Sequence, residues 1–168
     1  MESAELKELQ APIKAKYRDQ PEAAVVTLEA QGSLGEGVTC SVDTGRALVE
    51  AGLHPASGGN GLSACSGDML LEALVACAGV TLSAVATALE LDVREARIHA
   101  QGDLDFKGTL GVDKEAPVGF RDIRLGFEIE GDLSDEQLAT LLKLTERYCV
   151  VYQTLKSAPP IEVSAATL

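Results

Sequence analysis

Cys77 and Cys149 are the two residues whose chemistry and placement stand out in this chain of 168 residues. Cys77 lies within an apolar stretch, Gly67 to Glu90, that carries no charge from Ala73 to Leu89. Cys149 lies where the apolar stripe of a second predicted helix, Ser134 to about Val150, runs out. Two thiols on core-facing helices, far apart in sequence, could meet inside one fold, and that arrangement suits thiol redox chemistry. A nucleophilic cysteine must ionise, however, and an apolar site raises its pKa. Cys77 is about ten residues into its helix, ~15 Å from the helix N-terminus, so the end charge gives it little help. Its helical neighbours Ala73, Leu74, Val80, Thr81 and Ala84 include no cation. A reactive Cys77 therefore needs a cation from another segment, with Arg46 the first candidate and Arg147 the second. Without one it is an inert core thiol.

The remaining cysteines read differently. Cys40 alternates with Val38 and Val42 on one face of a predicted strand, as a small buried hydrophobe would. Cys65 lies in the loop entering the long helix. A largely helical path separates it from Cys77 by ~15–18 Å, too far for a disulfide. No two cysteines have C-x-x-C spacing, and neither His54 nor His99 lies near a cysteine pair. No metal site and no cofactor are expected.

Length and composition predict one folded core, with 46% hydrophobic residues, few aromatics and no Trp, so aliphatic and Ala contacts must fill it. A net charge of −12 repels phosphate backbones and anionic lipid, so neither a nucleic acid nor a membrane is expected as a partner. Met1–Gln10 holds Glu2, Glu5, Lys7 and Glu8 and no apolar signal region. The uncharged run in the long helix is short for a bilayer and rich in Ala, Thr and Ser. A cytoplasmic location follows as the expectation, where thiols stay reduced and a disulfide is catalytic more often than structural.

Hydrophobic periodicity supplies the elements that would position the thiols. A helix is predicted over Ala4 to about Arg18 despite Pro12, then strands over Ala24–Ala30, Val38–Val42 and Arg46–Glu50. A loop from Gly52 to Gly61 follows. Its Gly58-Gly59-Asn60-Gly61 run lacks the Gly-Lys-Ser/Thr ending of a phosphate loop and reads as a connector. After the long helix come the two clearest alternating strands. Ile98, Ala100, Gly102, Leu104 and Phe106 share the inward face of one, and Ile123, Leu125, Phe127 and Ile129 that of the other, with a hairpin connection between them. Ser134 with Gln137 three residues on forms a capping box. A last strand is predicted at Ile161–Ala165, after Pro159-Pro160.

The segment ACSGDMLLEALVACAGVTLSAVA, followed some seventy residues on by TERYCVVYQTL, resembles the osmotically inducible protein C and organic hydroperoxide resistance (OsmC/Ohr) family, in a less characterised subgroup. The resemblance covers residues 23–168 as an OsmC-like domain and leaves 1–22 as an N-terminal helical extension. It implies an α+β fold, an antiparallel sheet wrapped around long central helices in an intertwined homodimer. It also implies a thiol-dependent peroxidase for organic hydroperoxides, with Cys77 peroxidatic and Cys149 resolving, that pair as the readily made disulfide, and a dithiol as reductant. The alternative is a non-enzymatic dimeric module whose apolar cleft binds a small hydrophobic molecule.

The chain also departs from the family pattern. Where well-characterised peroxidases of the family carry an Arg after the first strand, it reads Gln31-Gly32-Ser33-Leu34-Gly35. The place of a Glu ten residues before the first Cys is Gly67, with Asp68 next. The Pro-x-Ser that often follows the second Cys is Val150-Val151-Tyr152.

Overall fold

The computed structural model describes residues 2–19, 31–34, 39–43, 48–111 and 113–167. The strand expected at Ala24–Ala30 and the candidate cation Arg46 lie outside them. Helix α1 (Ser3–Asp19) runs through Pro12 and is tied to the end of the next long helix by Lys7 and Glu90, 3.5 Å apart at the surface.

Strands β1 (Gln31–Leu34), β2 (Thr39–Asp43), β3 (Leu48–Gly52) and β4 (Ala64–Cys65) form one sheet in that order. The first three pair antiparallel, with Cys40 opposite Leu34 and Ala51. The short β4 pairs with β3 in parallel through Ala51–Ala64 and Gly52–Cys65. The glycine-rich connector between β3 and β4 holds a single 3-10 turn, Pro55–Ser57, which ends on Gly58 in the left-handed region at φ 94°.

Helix α2 (Ser66–Ala88) is the centre of the molecule. Leu74, Ala78, Leu82 and Ala86 recur every four residues and make one fully buried stripe. By length and composition this 23-residue helix could cross a membrane, a longer element than its uncharged run predicts. Here it packs as a core helix, against β5 (Asp92–Leu104), α4 (Asp135–Tyr148) and α5 (Val150–Lys156).

Strand β5 pairs antiparallel with β6 (Phe120–Asp132), placing Ile98 opposite Phe127, Ala100 opposite Leu125 and Gly102 opposite Ile123. The inward faces are those expected from the alternation, and both strands are longer than predicted. Gly102 is required where it stands, because a Cβ there would lie 2.5 Å from the Phe120 ring. The link between the strands differs from a plain hairpin. Phe106 leaves the strand and opens a short helix, α3 (Phe106–Thr109), because the Asp105 carboxylate caps the Lys107 N–H.

Two further departures concern the C-terminal part. The helix beginning after Ser134 has its capping box, with Gln137 N–H donating to Ser134 Oγ and Ser134 N–H to Gln137 Oε1. It stops at Tyr148 instead of running through Cys149, and a second helix, α5, starts at once. The strand predicted at Ile161–Ala165 is absent. Residues 158–167 have no regular structure and Ile161 and Val163 are 82% and 91% exposed, since no strand among the described residues pairs with them.

Candidate active site

The two thiols predicted as a pair are brought together. Cys149 is 1% exposed and shares a core cluster with Leu74 and Ala78 of α2, and Cys77 packs against that cluster with Val151 and Tyr152. The reason lies in matched stripes. Leu141, Thr145 and Cys149 recur every four residues along α4 and its end, facing the four-residue stripe of α2. Leu141 meets Leu82 and Ala86 at one end, and Cys149 meets Leu74 and Ala78 at the other. Cys65, Cys77 and Cys149 are all free thiols. Cys65 stands at the N-cap of α2, beside Gly67 and outside this cluster.

Cys149 is also the corner of the chain. It closes α4, its N–H donating to Thr145 O at 2.9 Å, and it opens α5 from an extended backbone, φ −72° and ψ 107°. The first N–H groups of a helix have no acceptor within it, and no side chain caps α5. Those of Val150 and Val151 lie close enough to the Cys77 sulfur to favour its thiolate. A thiol is a weak acceptor and a thiolate a strong one, so these polar contacts become charge-assisted hydrogen bonds when Cys77 ionises.

The electrostatics separate the two sulfurs. Burial raises the Cys77 thiol. The Val151 N–H, the Cys149 thiol, the Val150 N–H and the Thr81 hydroxyl all favour its thiolate, and together they outweigh burial and hold the pKa below the ordinary value. The Thr81 contribution is the smallest, which fits its geometry: its one hydroxyl hydrogen is already on the Cys77 carbonyl at 2.7 Å. Cys149 moves the other way. Burial raises it first, and the neighbouring Cys77 adds to that, against the N–H groups of Tyr152 and Val151. Of the two, Cys77 is the thiol that ionises first, its thiolate receiving the S–H of Cys149.

Of the two cations sought from sequence, Arg46 lies outside the described residues and Arg147 takes no part at Cys77. Arg147 is exposed, with its guanidinium 5.7 Å from the centre of the Tyr148 ring. Asp68 lies in the first turn of α2. What sequence reasoning missed was the backbone of Val150 and Val151 and the packing of Tyr152. Backbone donors leave no mark in side-chain identity. The available signal was that Val150–Lys156 keeps helix-forming residues beyond Cys149.

A groove of ≈ 520 Å³ opens beside the thiol cluster, walled by Leu74, Phe120, Ile123, Leu125, Phe127 and Tyr152 together with the charged Arg121, Asp122, Glu146 and Lys156. A larger hollow of ≈ 1080 Å³ lies elsewhere, between the start of α1, α2 and β5, and neither cysteine lines it. Neither cysteine lines the smaller groove either, but that groove shares Leu74 and Tyr152 with the thiol cluster. Among the described residues no group of His, Cys, Asp and Glu side chains is arranged to hold a metal ion.

A long apolar helix presenting one thiol to a second at a helix break, inside an α+β fold, defines a dithiol protein. The family model for OsmC-like proteins matches residues 58–164, more than half of the chain, and the chain belongs to that family. Solved structures share the fold. An OsmC-like protein from Mycoplasma pneumoniae superposes with a TM-score of 0.66 at 18% identity, covering 79% of this chain and 89% of its own. An organic hydroperoxide resistance protein OsmC from Legionella pneumophila gives 0.63 at 16%, covering 80% and 92%. The organic hydroperoxide resistance protein OhrB of Bacillus subtilis gives 0.55 at 18%, covering 80% and 94%. No curated protein sequence matches the chain.

Proposed function

We propose that this protein is a thiol-dependent peroxidase that reduces organic hydroperoxides, with Cys77 peroxidatic and Cys149 resolving. One observation carries the reading: two facing thiols whose surroundings push one toward the thiolate and hold the other protonated. The names of the hydroperoxide resistance proteins that share the fold agree with it. The Cys77 thiolate attacks the terminal peroxide oxygen, the O–O bond breaks, and the alkoxide leaves to be protonated to the alcohol, giving a sulfenic acid on Cys77. The Cys149 thiol then attacks that sulfur. A disulfide forms and the sulfenic oxygen departs as water, and a dithiol reductant restores both thiols by exchange. The apolar walls of the groove favour organic over hydrogen peroxide, at about 0.8 kcal/mol for each methylene buried.

The working form in this reading is a homodimer in the cytoplasm. The outer face of α2 carries Ala73, Ala76, Val80 and Ser83 to solvent, with Val80 73% exposed, and Ile161 and Val163 are bare. A second copy related by a two-fold axis would cover such surface. Residues 23–168 act as the OsmC-like domain and 1–22 as an extension to it.

Mass spectrometry after one equivalent of an organic hydroperoxide tests the chemistry. Wild-type protein should yield a Cys77–Cys149 disulfide, Cys149→Ser a sulfenic acid on Cys77, and Cys77→Ser no oxidation product. A Cys65–Cys149 link as the main product would overturn the assignment. A Cys77 that resists alkylation until well above pH 8.5, the ordinary thiol value, would favour a binding module instead.

A further inference from the structure

The break at Cys149 leaves α5 with only seven residues, too short to hold its own direction. Two hydrogen bonds return from it to α4. Tyr152 Oη donates to Glu146 Oε2 at 3.0 Å, and Gln153 Nε2 donates to the Glu146 carbonyl oxygen at 2.7 Å. The Tyr152 ring is half-buried against the cluster containing Cys149, and Lys156 Nζ lies 5.6 Å from the ring centre. Glu146 is exposed, so nothing in the core explains its presence.

We infer that Glu146 and Tyr152 form a positioning latch: their hydrogen bond bridges the break at Cys149 and fixes α5 at the angle where the Val150 and Val151 N–H groups meet the Cys77 sulfur. The latch acts through those two donors: the side-chain polar atoms of Glu146 and Tyr152 touch neither thiol, and the Tyr152 backbone N–H meets Cys149 alone. Val150 and Val151 immediately precede Tyr152 in the same turn, so a swing of α5 displaces both donors at once. Charged groups around the adjoining groove are Arg121 and Asp122 from β6, Glu146 from α4 and Lys156 from α5, and none of them acts directly on Cys77. Among the described residues, the titratable group facing Cys77 is Cys149.

The inference rests on Cys77 being the reacting thiol, and its test is a titration that needs no peroxide. The rate of Cys77 alkylation by iodoacetamide, followed by peptide mapping of the full chain, is measured against pH. Tyr152→Phe keeps the ring in the cluster and removes the hydroxyl. Its alkylation midpoint should rise by roughly half to one pH unit, a partial loss of two bonds to a charged sulfur. Glu146→Gln keeps an oxygen that accepts the Tyr152 hydroxyl and should leave the midpoint at the wild-type value. Glu146→Ala changes only an exposed side chain on a helix and should reproduce the rise, which keeps the test open if Tyr152→Phe folds poorly. Profiles of Tyr152→Phe and Glu146→Ala that superpose on wild type would overturn the latch. A wild-type midpoint at the ordinary thiol value would instead overturn the proposed function.

Discussion

Replacing Val150 by proline removes one backbone donor from Cys77 and almost nothing else. Val150 is the first residue of α5 and its side chain is 70% exposed, so no packing is lost. Its N–H has no acceptor within the helix, and proline suits that first position. Cys149 already has the extended backbone, φ −72° and ψ 107°, that a residue before proline prefers. The fold should therefore survive, with the melting temperature unchanged or slightly raised. What is lost is one hydrogen bond to a thiolate. Bonds to charged groups contribute about 1.5–3 kcal/mol, and Val150 acts on Cys77 less than Val151 or Cys149 does. A loss of about 1 kcal/mol corresponds to roughly 0.7 of a pH unit in the Cys77 midpoint. The sign follows from the thiolate being the stabilised form: removing a donor raises the pKa, so reactivity at neutral pH falls. Val150→Ala, which keeps the N–H, is the control and should not move. A Val150→Pro protein with native melting and an unshifted alkylation profile would refute the assignment of Cys77 activation to the α5 backbone.

Other outcomes follow from the same geometry. Cys77→Ser should abolish peroxide turnover, while Cys149→Ser should allow a single oxidation and then stall, as read by product formation under limiting hydroperoxide. Sedimentation equilibrium at micromolar concentration should report twice the chain mass, and Val80→Glu on the open face of α2 should shift it toward the monomer. Ser134→Ala breaks the capping box of α4 and should cost about 1 kcal/mol in denaturant unfolding. Thr145 is 1% exposed, and its hydroxyl has no partner among the described residues. Thr145→Val should therefore gain about 1–2 kcal/mol, roughly 2–8 °C in melting temperature for a chain of this size; a loss would mean that the hydroxyl has a partner in solution.

The parts of the fold that were legible in sequence are those whose signal is a side-chain period. The long apolar helix α2 and the alternating faces of β5 and β6 depend on which side chains meet the core, the Ser134–Gln137 box on two side chains that meet the helix end, and each is where the sequence pattern put it. The parts that were not legible depend on what the backbone meets. Ile161–Ala165 has the alternation of a strand, but a strand needs a pairing edge and alternation cannot supply one. The corner at Cys149 is of the same kind. Side-chain spacing carried the predicted helix through it, because Leu141, Thr145 and Cys149 keep one face throughout. Arg147 drew attention as a cation for Cys77 for the related reason that a charged side chain is visible in a sequence and an uncapped N–H is not. The break that hid the site from sequence is also what makes the site possible. An unbroken helix through Cys149 would bond the N–H groups of Val150 and Val151 to carbonyls one turn back, leaving Cys77 as the inert thiol its apolar neighbours imply. Ending α4 one residue early frees those donors at the one place where a second thiol is already in contact with the first.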